Sequence, residues 1–135
     1  LLRAAVGASP EEAKRRHFQD SHRWMAEGLL DAVYPMNYAE EMTTFVKRLN
    51  AWSAMKPGIP VVIGVMFDNR EGATVLAQVH RALQSGPHFA AFAYNSLFER
   101  SIGNARHGRD GQSAARAALR NRVIPYLRKL TALRV

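Results

Sequence analysis

Among the acidic residues of this sequence, Asp68 has the strongest claim to chemistry. It follows an unbroken apolar run, Pro-Val-Val-Ile-Gly-Val-Met-Phe over residues 60–67, which reads as a strand. Where strands alternate with helices around a barrel, reacting groups stand at the C-terminal ends of the strands. Three stretches qualify: Met36-Asn37-Tyr38, Phe67-Asp68-Asn69 and Tyr94-Asn95-Ser96. Asp68 is the only acid among these nine residues. A carboxylate there can act as a nucleophile or as a general base on water. Asn37, Asn69 and Asn95 each offer a donor and an acceptor on one planar amide, which suits sugar hydroxyls. Tyr38 and Tyr94 can stack on a pyranose face while bonding through the phenol. Glu99, beyond the last strand, ranks behind Asp68, because it can be half of a solvated pair with Arg100. Each candidate also has a plainer reading: helix capping for Asp68 and Asn69, turn chemistry for Asn37 and Asn95, and core packing for the tyrosines.

Other chemistries find no support. Cys is absent, so no thiolate or disulfide is available. His17 and His22 are five apart, which is not a ligand spacing on one helix face, and no metal or other cofactor is expected. Gly64 lies inside a strand with no second glycine at the offset that a phosphate loop needs. No apolar run approaches the roughly 20 residues of a membrane span.

The candidates depend on the elements that carry them. Ser9-Pro10-Glu11-Glu12 predicts a helix start, with Ser9 as cap, Pro10 at the first helical position and Glu12 completing a capping box. That helix is expected to run to about residue 27, with Phe18, Trp24 and Met25 inward, and to end at Gly28 in a left-handed conformation. Phe45, Leu49 and Trp52 mark a second helix over 40–54, and Leu76, Val79 and Leu83 a third, capped by Asn69. Residues 2–8, a stretch near Asp31, residues 60–67 and residues 89–98 read as strands. The starts near Asp31, Pro60 and Phe89 are 29 residues apart each time. An eight-unit barrel of about 250 residues has a period of about 31. The expected fold class is therefore α/β: about four βα units of a (β/α)8 barrel, with parallel strands and covering helices. An independent flavodoxin-like open sheet is the alternative.

The stretch Trp24-Met-Ala-Glu-Gly-Leu-Leu-Asp-Ala-Val-Tyr-Pro-Met-Asn-Tyr38 resembles the helix-to-strand signature of the family 10-like glycosyl hydrolases. There an aromatic-rich helix ends in Glu-Gly and runs into Leu-Asp-x-Val-x-Pro-Met-x-Tyr. The likeness continues through Gln19-Asp20, the helix holding Phe45 and Trp52, and the strands at 59–67 and 89–98. It covers about residues 1–99, as strands five to eight of the barrel. It implies hydrolysis of glycosidic bonds in a polysaccharide or oligosaccharide, usually outside the cytoplasm. The general acid would lie on the fourth strand, which these residues do not include, so four further units are expected N-terminal to this segment.

The formal charge of +8 is unevenly spread. Residues 1–99 hold ten Lys/Arg and ten Asp/Glu, which leaves nine basic residues and one acidic residue for 100–135 out of totals of 19 and 11. In that tail Leu119, Val123, Tyr126, Leu127 and Leu130 recur at helical spacing, so an amphipathic helix with a solvated basic face is expected, not a nucleic-acid site. The expected partner is a carbohydrate, with neither nucleic acid nor membrane, and with self-association through open sheet edges. A non-catalytic carbohydrate-binding barrel is the alternative function; a small basic nucleic-acid-binding module ranks third.

Overall fold

A computed structural model of the chain describes residues 1–55, 58–68, 70–93, 97–98 and 111–132. The order of elements is β1 (Arg3–Val6), α1 (Pro10–His17), α2 (Ser21–Ala26), β2 (Ala32–Pro35), α3 (Met42–Ala54), β3 (Ile63–Met66), α4 (Gly72–Ser85), β4 (Phe89–Phe92) and α5 (Gly111–Ala132). The fold is mixed α/β with short parallel strands in two small sheets, β1 with β2 and β3 with β4. One parallel bridge, Val33 to Val61, connects the pairs: Val33 N–H donates to Pro60 O at 3.0 Å and Val62 N–H to Val33 O at 2.9 Å. The strands near Asp31, Pro60 and Phe89 are thus parallel neighbours in chain order, as their spacing predicts.

The strands alternate as their sequences do. Val6 and Val33 pack with Leu30 and Trp52, and half-buried Trp24 and Met25 close that cluster. Ile63, Val65 and Phe67 pack with Phe45 and Leu49 of α3, Val75, Val79 and Ala82 of α4, and Leu119 and Val123 of α5. The helical periodicity of 119–130 is therefore spent on α4, as expected of an amphipathic helix. Trp52 is fully buried, and its indole N–H finds the Ala8 carbonyl at 2.9 Å, which ties α3 to the end of β1.

The first helical segment differs from expectation. Ser9 does cap, accepting from Glu12 N–H at 3.4 Å, and Gly28 does end the segment at φ 68°. Glu12, however, pairs with Arg16 at 3.2 Å and does not complete a capping box. The helix also breaks at Phe18 to Asp20. Phe18 takes a left-handed conformation at φ 56° and is 88% exposed, so its expected inward position is corrected. The cause lies in its neighbours. Gln19 Oε1 accepts from Gly7 N–H at 2.9 Å, and Asp20 caps α2 through Arg23 N–H at 3.2 Å. Asp20 also meets Lys14 at 2.7 Å, and this hydrogen bond, with that from Arg23, holds its carboxyl below the usual range. Two polar anchors outweigh continued helix.

Gly64 sits where β3 passes closest to the end of β2. A Cβ there would stand 2.8 Å from the Pro35 carbonyl oxygen and 3.2 Å from Tyr38 Cε1, whereas at Gly58 it would meet nothing within 4 Å. Gly64→Ala is expected to lower stability by about 1–3 kcal/mol in urea denaturation with an unchanged slope. Gly58→Ala should stay within about 0.5 kcal/mol of the parent.

Candidate functional site

The C-terminal ends of β2, β3 and β4 lie side by side, and each carries a residue of interest. Asp68 follows Phe67 directly, is exposed, and has no ion-pair partner among the described residues. It does not cap the next helix. The N-cap position of α4 is Glu71, whose side chain makes no cap bond, so the cap expected at Asn69 falls two residues further on. Phe67 N–H donates to Phe92 O at 2.6 Å, which sets Asp68 beside the end of β4.

Tyr38 leans across from β2. Its ring stacks on Phe92, with centroids 5.1 Å apart and planes 23° from parallel, within the range that favours aromatic pairs. Phe92 remains 49% exposed, and sequence reasoning did not single it out. The available signal was its place: alternation puts it on the same face of β4 as Ala90 and opposite the helix-facing Phe89. Met36, 38% exposed, adds apolar surface at the same end of β2. Burial pushes the Tyr38 phenol above its usual range, since the charged form loses water on one side.

Asn37 takes another position. It is fully buried, and its Nδ2 donates to the Phe45 carbonyl at 2.9 Å, so its amide braces the start of α3. Gln78, also fully buried, donates from α4 to the Ala39 carbonyl at 2.9 Å, and Arg70 pairs with Glu40 at 3.2 Å. Within the loop, Asn37 N–H bonds Pro35 O and Tyr38 N–H bonds Met36 O, each at 2.9 Å. These tight turns and three cross-links fix residues 36–40 from the helix side and leave the Tyr38 ring to the other side. Gln78 and Arg70 escaped sequence reasoning because a polar residue on a helix ordinarily reads as solvent-facing. Asp31 lies at the N-terminal end of β2 and accepts from Leu2 N–H, a structural tie.

Asn69, Tyr94, Asn95 and Glu99 lie outside the described residues. Among the described residues, no cluster of three or more His, Cys, Asp or Glu is placed to hold a metal ion, and no helix is long and apolar enough to cross a membrane. Comparison with family models, with curated proteins and with solved structures gave no match to this chain.

The raised phenol value fixes the sign of an alkaline effect. In the unfolded chain Tyr38 ionises near 10.0, and in the folded chain later, so its contribution is complete below that pH and is lost as pH rises through the folded value. Tyr38→Phe keeps the ring on Phe92 and removes this loss. Alkaline unfolding of the variant should begin at higher pH than that of the parent. A variant with the parent's alkaline midpoint would contradict the assignment.

Proposed function

We propose that these residues form half of a (β/α)8 barrel that hydrolyses glycosidic bonds, with Asp68 as nucleophile or as base for water. Four further βα units complete the barrel and supply the second carboxylate that such hydrolysis uses. Support for the barrel comes from strand order. A flavodoxin-like sheet places its first strand between the second and the third. Here β2 is the neighbour of both β1 and, through the Val33–Val61 bridge, β3. Successive parallel neighbours are what a singly wound barrel requires.

The observation that carries the functional reading is the placement of Asp68. It is an exposed carboxylate at the end of a strand with three of four residues buried, without the capping duty that would otherwise explain it. Beside it the Tyr38–Phe92 pair offers an apolar platform for a sugar ring, with a hydroxyl at its margin. The same platform with only one carboxylate in view is what favours the second reading, a barrel that binds carbohydrate without cleaving it.

The test is release of new reducing ends from a panel of polysaccharides and oligosaccharides by the complete barrel. Asp68→Asn should reduce turnover about 10²–10⁴-fold while substrate binding and melting temperature change little. Turnover near the parent's in Asp68→Asn would remove Asp68 from the chemistry. Saccharide binding without any cleavage, unchanged by Asp68→Asn and lost in Phe92→Ala, would establish the binding reading.

A further inference from the structure

Helix α5 does more than cover the sheet. Its register on α4 follows from two contacts: a Cβ on Gly72 would meet Arg122 Cδ at 2.7 Å, and Tyr126 Oη lies 3.5 Å from His80 Nδ1. The two helices therefore run in the same direction. Gly72 opens α4 shortly after Asp68, so it stands at the level of the C-terminal strand ends. The residues of α5 before Arg122 lie at or beyond that level, on the side of the sheet that carries Asp68 and the Tyr38–Phe92 pair.

Arg120 belongs to this stretch, one residue past the buried Leu119. Its Nη1–H donates to the Leu97 carbonyl at 3.0 Å, and its guanidinium carbon lies 5.8 Å from the centre of the Phe98 ring. No carboxylate among the described residues pairs with it. A half-buried guanidinium spent on a carbonyl and a ring serves placement, not charge balance. The combination suits a planar fork of donors and is poorly matched by the point charge of a lysine.

What Arg120 grips is connected to the candidate site. Leu97 is 7% exposed and shares one apolar cluster with Ala39, the neighbour of Tyr38, and with Phe67, whose N–H donates to the Phe92 carbonyl. Phe98 packs against the same cluster. Contiguous packing of this kind is what carries coupling between positions that do not touch. The other side of the site has a counterpart: after β2, Asn37 and Gln78 donate side-chain amides to main-chain carbonyls, and after β4 Arg120 donates from α5 in the same manner.

We infer that Arg120 is a positioning residue of the candidate site: it touches no ligand and acts through Leu97 and Phe98 to keep the Tyr38 ring stacked on Phe92. The inference rests on the reading of that pair as a saccharide platform, and it takes one arginine of the basic tail out of the solvated face.

The test compares Arg120→Met, Arg120→Lys and a control on the same helix, the exposed Lys129→Met, with the parent. In the 135-residue chain, nuclear Overhauser contacts between the Tyr38 and Phe92 rings should weaken in both Arg120 variants and persist in Lys129→Met. In the complete barrel, the dissociation constant of a bound oligosaccharide should rise about 2–30-fold in Arg120→Met, with KM affected more than kcat. Phe98→Leu should give a similar loss, and adding Arg120→Met to it should cost little more, because the two act through one contact. Ring contacts that are unchanged in a folded Arg120→Met would overturn the inference and leave a purely structural tie, whatever the melting temperature. Full rescue by Arg120→Lys would overturn it too, since charge alone would then suffice. If Arg120→Met does not give the parent's circular dichroism spectrum, Arg120→Lys and Phe98→Leu decide by the same ring contacts. A parent that binds no saccharide, yet has ring contacts that depend on Arg120, would discard the platform reading and keep the positioning role.

Discussion

A parallel sheet needs cover on both faces, and the described helices of this chain lie on one. The side chains of Val6, Val33, Ile63, Val65 and Phe67 meet α2 to α5 in two apolar clusters, and among the described residues the alternate positions have no such layer. The arrangement follows from successive strands lying beside one another, because crossovers of one hand keep returning helices to the same side. The proposed barrel would turn that face into an interior and gather the C-terminal strand ends into one mouth.

The same winding explains how the candidate site is held. The loop after β2 is tied to α3 through Asn37, to α4 through Gln78 and to the approach to α4 through Arg70 and Glu40. The first tie lies within one βα unit and the other two run to the next. Tyr38 is consequently placed by residues on the helix side, and its ring stacks on Phe92 of β4 where β2 and β3 approach closely at Gly64. Gly64 lets two strands converge, and that convergence brings aromatic groups from the second and fourth strands into contact.

Much of this was legible in the residues because apolar period and punctuation agree. Phe45, Leu49 and Trp52 are all fully buried on α3, as their spacing requires, and the 29-residue interval reproduces the order of parallel neighbours. The signals failed where a side chain competed with the backbone pattern. Phe18 fits a helical face, yet the bonds made by Gln19 and Asp20 end the helix and turn the ring outward. Asn69 stands where a cap is expected, but α4 begins later, after Glu71. At the site, the position of Asp68 was readable from the strand it follows. The inward role of Asn37 and the partnership of Tyr38 with Phe92 were not, because the first depends on how the loop turns toward α3 and the second on a contact between units, neither of which one-dimensional spacing encodes.

The most direct test of the account is the order of the strands in solution, read from nuclear Overhauser contacts between backbone groups. With β2 between β1 and β3 and Val33 bonded to Pro60 and Val62, contacts from Val33 to Val61 and from Ala4 to Val33 are expected, and β1 and β3 should share none. Contacts between β1 and β3, with none between β2 and β3, would contradict successive parallel neighbours and with them the proposed barrel.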